Sequence, residues 1–256
     1  MRNNTKIIAT IGPASASKEI LKPMIEAGVN VCRLNFSHTD HKTHLKTIQT
    51  IKEINRELHV HTAILADLQG PKIRVGEVEE GTVLEYGSEL FITDKPCISN
   101  NKTLYISYHQ FASDVEVGEL VKIDDGKIHL EITSTNKQDV VKAKVLHGGP
   151  LSSNKGVNLP NTKISQPCLT EKDLTDLAFI LTQPIEWIGL SFVRSANDIV
   201  ELKEHIKKVN HHARVIAKIE KPQAIENLDE ILDATDAVMV ARGDLGVEIP
   251  MQTVPV

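Results

Sequence analysis

No apolar run in this chain is long enough to span a bilayer, and its start, MRNNTKIIATIG, lacks the long apolar core of a signal peptide. Cysteine is scarce. Cys32, Cys97 and Cys168 are odd in number and far apart, the usage of a reducing compartment rather than a disulfide framework. No charge of one sign dominates either: the net charge of −5 arises from interspersed acids and bases, so there is no electrostatic footprint for nucleic acid or an anionic membrane. Eleven histidines are present, but no cysteine or carboxylate spacing of a structural zinc site accompanies them. His38, His41, His44, His59 and His61 are therefore expected to be surface or capping residues. The chain reads as cytoplasmic, with no membrane and no nucleic acid among its partners. Its 256 residues and 41% hydrophobic content can fill a sizeable α/β core.

Strand-like and helical periods alternate at first. Lys6 to Ile11 reads as a strand, Lys18 to Ala27 as a helix with Ser15 or Ser17 as N-cap, and Val31 to Phe36 as a second strand. His41 to Glu57 is a second helix and Thr62 to Asp67 a third strand. From about Pro71 to Gln166 the helical period disappears, and short β-rich runs are divided by turn signals such as Glu80-Gly81, Asp124-Asp125-Gly126 and Gly148-Gly149-Pro150. Alternation then resumes. Thr170 and Asp173 open a helix in capping-box style, and strands over Trp187–Phe192, Arg214–Ile219 and 237–241 alternate with helices over 196–209 and 222–232. Trp187 and the helices' apolar stripes are expected in the core, and 201–208 is expected to be a solvated helix face. Three stretches follow: 1–70 as the first part of a barrel domain, 71–166 as an inserted all-β lid, and 167–256 as the second part of the barrel.

Repeated βα units imply a parallel sheet, open or closed. Asn35 and Ser37, Asp67, Ser191, Lys218 and Glu220, and Asp244 all fall at or just past the C-terminal ends of different strands, where a (β/α)8 barrel builds its site. Six strands are too few for closure, and the chain stops at MQTVPV as another apolar run begins, so the expected fold is a truncated (β/α)8 TIM-type barrel with an inserted β-barrel lid. Lys218 and Glu220 share one face of their strand. A buried ammonium and carboxylate cost several kcal/mol unless a metal, substrate or partner charge compensates them. An ion pair between the two is the plainer alternative. In VCRLNFSH, Arg33, Asn35 and Ser37 alternate with Cys32, Leu34 and Phe36; a guanidinium beside amide and hydroxyl oxygens suits a phosphate with an adjacent cation. Polar groups bonded to neighbouring loops would give the same pattern. Glu220 and Asp244, as hard oxygen donors, suit Mg2+ or Mn2+.

The segments TKIIATIGPAS, GVNVCRLNFSH, ADLQGPKIRVG, IDDGKIHL, KGVNLPN, IGLSFVRS, VIAKIEKPQAIENLDEIL and DAVMVARGDLGVEIP, in this order and spacing, closely resemble pyruvate kinases over essentially the whole chain. The resemblance implies a (β/α)8 barrel interrupted after its third strand by a β-barrel lid, with a C-terminal regulatory domain that is absent here. It implies Mg2+-dependent phosphoryl transfer from phosphoenolpyruvate to ADP, giving pyruvate and ATP, the last step of glycolysis, by a homotetramer. Glu220 and Asp244 would hold the divalent ion, Lys218 and Arg33 would be catalytic groups on the transferring phosphoryl, and the backbone at Gly243 and Asp244 would receive the substrate carboxylate. Asn35, Ser37 and Asp67 match monovalent-cation ligands. Pro13, His38, Arg74, Asp125 and Lys155 lie where the nucleotide is expected.

Two departures follow from the same comparison. Potassium-dependent members carry a glutamate two residues before Arg74 and a threonine-lysine pair after the aspartate; here Lys72 stands in the first place and Leu68 and Gln69 in the second. One ammonium can replace one K+, so potassium-independent turnover is expected. A chain without the remaining barrel strands is expected to have unpaired edges and little or no kinase activity. The competing classes are a Mg2+-dependent lyase or aldolase working through a pyruvate enolate, and a non-catalytic ligand-binding fragment.

Overall fold

The computed structural model describes residues 4–254 and divides the chain into two compact units. One runs to Gly70 and resumes over Cys168–Ile219 and Gln223–Met239. The other comprises Pro71–Pro167, Glu220–Pro222 and the chain from Val240 onward.

The first unit is built on a six-stranded sheet. Its order is Ile8–Thr10, Val31–Asn35, Ala63–Asp67, Trp187–Leu190, Arg214–Ile219 and Ala237–Val240, and the pairings among the first five strands are parallel. Cys32, Leu34, Ile64, Ala66, Ile188, Leu190, Val215 and Ala217 turn one face of the sheet to the core. Helices meet them there, among them Lys18–Glu26 through Leu21 and Ile25, His41–Leu58 through Ile48, Ile51 and Ile54, Glu171–Ile180 through Leu177 and Ile180, and Ala196–Lys208 through Ile199, Leu202 and Ile206. Leu65 and Ile216 are buried on the opposite face, as parallel strands covered on both sides require. These six strands with their crossover helices are six strands of a (β/α)8 barrel. Helix Glu171–Ile180 starts with the expected capping box, Thr170 accepting from the Asp173 N–H while the Asp173 carboxylate accepts from the Thr170 N–H.

Several expectations are corrected in this unit. The first strand shrinks from 6–11 to Ile8–Thr10 at the sheet edge. The helix expected over 222–232 is two, Pro222–Glu226 and Leu228–Ala234. Asn227 divides them, its side-chain N–H donating to the Arg194 carbonyl at 2.8 Å instead of standing clear of the helix. Trp187 is only partly buried, because it begins its strand at the sheet's rim, and Arg214 lies 5.9 Å from its ring. His44 is buried rather than superficial: it stacks on Phe36 at 4.1 Å and its Nε2 lies 3.2 Å from the His38 carbonyl. His41 is half-buried, stacked on Phe179 and 2.7 Å from Asp176.

The second unit is β-rich. Its six-stranded sheet runs Val157–Asn158, Leu120–Ile123, Ile128–Thr135, Val140–His147, Glu89–Thr93 and Thr103–Tyr105, antiparallel except for the last pair. Period-two alternation places Leu90, Ile92, Val121, Ile123, Ile128, Leu130, Ile132, Val141, Ala143 and Val145 in one core. A single helical turn, Phe111–Asp114, interrupts the β pattern. Helix Arg242–Glu248 belongs to this unit. Among the described residues no helix is long and apolar enough to cross a membrane.

Candidate functional site

In the first unit three strand ends converge on Asp67, whose side chain is only 2% exposed. Parallel register sets Asn35 beside Asp67 and Gly189 on its other side. Arg33 reaches one carboxylate oxygen, Oδ2, with Nε at 2.7 Å and Nη2 at 2.5 Å, and its Nη1 donates to the Thr10 hydroxyl at 2.9 Å. Lys218, nearly buried, stands 3.3 Å from the other oxygen, Oδ1, and donates to Ser191 Oγ at 2.8 Å. Ser191 in turn donates to the Leu68 carbonyl at 2.7 Å. Lys218 thus keeps its ion-pair distance to Asp67 while directing a proton elsewhere, and Oδ1 receives no hydrogen bond. Gly189 leaves room for that oxygen, since a Cβ there would approach it to 3.0 Å.

Arg33 and Lys218 thus bring two cationic groups to one buried carboxylate in a largely dehydrated place. That is an arrangement for an anion such as a phosphoryl group. The buried acceptor at Asp67 Oδ1, with no hydrogen-bond donor, also fits a monovalent cation. Asn35 Oδ1 accepts from the Ser37 N–H at 3.0 Å, which fixes the turn after the strand. The backbone beside the cluster is tightly specified. Gly70 has φ 68°, and a Cβ there would meet Phe192 and Ser191 at about 3 Å. Phe192 itself adopts φ 57°, rare for an aromatic residue.

The remaining candidates of the first unit are Pro13 and His38, both exposed. Pro13 lies in a turn closed by Ser15, whose N–H and hydroxyl both donate to the Gly12 carbonyl. The His38 carbonyl lies 3.2 Å from His44 Nε2.

The second unit holds the other candidates. Glu220 is 1% exposed. Asp244, in the first turn of helix Arg242–Glu248, is half-exposed, and its Oδ1 lies 3.1 Å from the Lys72 ammonium. Arg74, Lys155 and Asp125 come close along the chain's own pairing. Arg74 bridges to Gly156 and donates to the Asn154 carbonyl at 3.0 Å, while Lys155 pairs at 2.9 Å with Asp124, the neighbour of Asp125. Asp124 and Asp125 both take left-handed backbone conformations in the hairpin that Asp124 also ties to Lys127 at 2.9 Å. Lys127 and Lys155 hold the Asp124 carboxyl below the usual carboxylate range. Among the described residues no three His, Cys, Asp or Glu side chains gather as a metal centre. Two hard carboxylates, Glu220 and Asp244, nevertheless fit the donor set of Mg2+, which takes one or two carboxylates and leaves the other positions to water and substrate oxygens.

Several participants were not singled out from the sequence for a role. Gly189 could have been found as a glycine inside a strand, a mark of close approach. Thr10 lies on the face of the first strand that meets Arg33, as the register shows. Lys221, Asn158 and Glu248 gave no local signal at all.

Parallel strands with helical crossovers, polar groups at their C-terminal ends and a β-rich insertion after the third strand define the class as an interrupted (β/α)8 barrel. The family model described as "Pyruvate kinase, barrel domain" matches residues 2–256. A pyruvate kinase of Geobacillus stearothermophilus is 44% identical over 258 residues, covering 100% of this chain and 44% of that protein. Pyruvate kinase 2 of Synechocystis is 46% identical over 98% of this chain and 43% of its own length, and a Mycobacterium intracellulare pyruvate kinase is 42% identical over 100% and 54%. The chain therefore belongs to the pyruvate kinase family. It spans about half the length of these relatives or somewhat less.

Proposed function

We propose that this chain carries the phosphoryl-transfer machinery of a pyruvate kinase, moving the phosphoryl group of phosphoenolpyruvate to ADP and releasing pyruvate. The observation that carries this reading is the cluster in which Arg33 and Lys218 both face the buried carboxylate of Asp67. Phosphoryl transfer demands positioning and charge neutralisation more than covalent chemistry. Arg33, braced by Asp67 and Thr10, grips the phosphoryl oxygens. Lys218, held by Ser191, neutralises charge on the transferring group and then on the enolate oxygen. Glu220 and Asp244 hold Mg2+ or Mn2+, and the N–H groups at Gly243 and Asp244 receive the substrate carboxylate. When bound, the divalent ion supplies a concentrated positive charge that polarises the enolpyruvate and phosphoryl oxygens. Arg74, Lys155 and Asp125 of the β-rich domain 71–166, with His38 and Pro13, take the nucleotide. In this reading the enzyme is a cytoplasmic glycolytic homotetramer.

Asn35, Ser37 and Asp67 are the monovalent-cation ligands in this reading, and Lys72 supplies a fixed positive charge in place of K+. Its ammonium on the Asp244 carboxylate supports a role at the charged centre of the reaction. Lys72→Glu should create a K+ requirement; turnover of that variant with unchanged K+ dependence would remove the lysine's part. The test of the whole reading is pyruvate formation from phosphoenolpyruvate, requiring both ADP and a divalent ion, by a protein that carries this chain and reaches the length of its relatives. Phosphoenolpyruvate binding without pyruvate would leave only recognition, and pyruvate formed with inorganic phosphate in place of ATP would indicate hydrolysis rather than transfer to ADP.

A further inference from the structure

Glu248 closes helix Arg242–Glu248 inside the second unit, with its side chain fully buried. Its Oε1 accepts from Lys221 Nζ at 2.6 Å and from Asn158 Nδ2 at 2.7 Å. Its other oxygen, Oε2, is buried and receives no hydrogen bond. Lys221 and Asn158 are themselves buried.

Stability alone accounts poorly for this group. A buried ion pair stabilises little against its desolvation, and a carboxylate oxygen left without a donor adds a further cost. The group's effect is geometric. It ties three segments of the unit together: the stretch Glu220–Pro222, strand Val157–Asn158 and the helix that carries Asp244. The same helix is fixed at two further points, Asp244 by Lys72 and the Val247 carbonyl by Lys122 Nζ at 2.6 Å. Lys221 directly follows Glu220, and Glu248 lies one helical turn beyond Asp244. One buried bond therefore joins the two segments that present the two carboxylates.

We propose that Lys221 and Glu248 are positioning residues, a buried clamp that sets the spacing of Glu220 and Asp244 for a divalent ion and registers it against strand Val157–Asn158. This rests on the reading of Glu220 and Asp244 as ion ligands. A clamp and a plain electrostatic effect predict opposite signs. Removing the Lys221 cation would strengthen divalent-ion binding if its charge were all that mattered, whereas loss of the clamp weakens it.

The experiment is Mn2+ titration of the purified chain, with free ion followed by electron paramagnetic resonance, for wild type, Glu220→Gln, Lys221→Met, Lys221→Arg and Lys221→Met/Glu248→Met. The double variant keeps the net charge and replaces the pair with apolar groups of similar length, a change that folds tend to tolerate. The expected result is Mn2+ affinity about 10-fold weaker in Lys221→Met and in the double variant, as for partners that orient metal ligands, with recovery in Lys221→Arg. Unchanged or tighter binding in Lys221→Met together with unchanged binding in the double variant, whatever their melting temperatures, would overturn the clamp. Unchanged binding in Glu220→Gln would instead overturn the ligand reading on which it rests.

Discussion

Asp67→Asn removes a carboxylate that faces both Arg33 and Lys218 while keeping the side chain's shape. In the native chain Arg33 places two nitrogens on Oδ2, and Lys218 stands 3.3 Å from Oδ1, with the Asp67 side chain 2% exposed and the Lys218 side chain 11% exposed. The variant leaves two cations facing a neutral amide that can accept on only one atom. Breaking a buried pair by removing one partner costs about 3–5 kcal/mol, and the 24% exposure of Arg33 points to the lower end. For a chain of this size about 3 kcal/mol corresponds to a fall of about 6–12 °C in melting temperature. Lys218→Met should behave differently. Arg33 still places two nitrogens on Asp67 Oδ2, so that carboxylate keeps a cation and the change should cost less than Asp67→Asn. Combining the two substitutions should recover part of the Asp67→Asn loss, because the remaining like-charge conflict is relieved. Thermal denaturation of the four proteins checks the scheme. Equal effects of the two single variants, or a double variant that loses the plain sum, would refute the argument that this cluster is electrostatically loaded around Asp67.

Three further outcomes are expected. Burial pushes the Cys32 thiol up to about 12 and that of Cys168 well above its ordinary value, while Cys97 is exposed, so iodoacetamide at about pH 8 should label Cys97 alone in the folded chain, as peptide mass spectrometry would show. Burial of His44 lowers its pKa from 6.5, so the unfolded chain binds a proton that the folded chain resists. Stability should therefore fall as pH drops below about 6.5 toward the depressed folded value, and His44→Gln should flatten that slope in melting temperatures taken between about pH 7.5 and 5.5. Thr170→Ala removes the capping hydroxyl that accepts from the Asp173 N–H, and should cost about 1 kcal/mol by urea denaturation, with no measurable change marking the cap as redundant.

Much of the architecture is legible from periodicity, because each strand and helix must bury a face whose spacing is written locally. The break at Pro71, the capping box at Thr170 and the polar residues at strand ends are all of this kind. Partnership is different. Lys218 and Glu220 share a strand face, yet the near partners of Lys218 include Asp67 and Ser191, brought in by register between strands far apart in sequence. His44 looks like one more polar residue on a helix until Phe36 arrives from the preceding strand to stack on it. Asn227 sits inside a good helical pattern and divides it because a carbonyl from another loop captures its side chain. The clamp of Lys221, Glu248 and Asn158 depends on three segments meeting, and no segment announces it alone.

The most direct test of the central claim is simultaneous measurement of pyruvate and ATP from phosphoenolpyruvate, ADP and Mg2+, in K+-free buffer, by a protein that carries this chain and reaches the length of its relatives, for wild type and Lys218→Met side by side. The account predicts the two products in equal amounts, dependent on Mg2+, and their loss in the variant. Pyruvate without ATP, or turnover untouched by loss of Lys218, would contradict it.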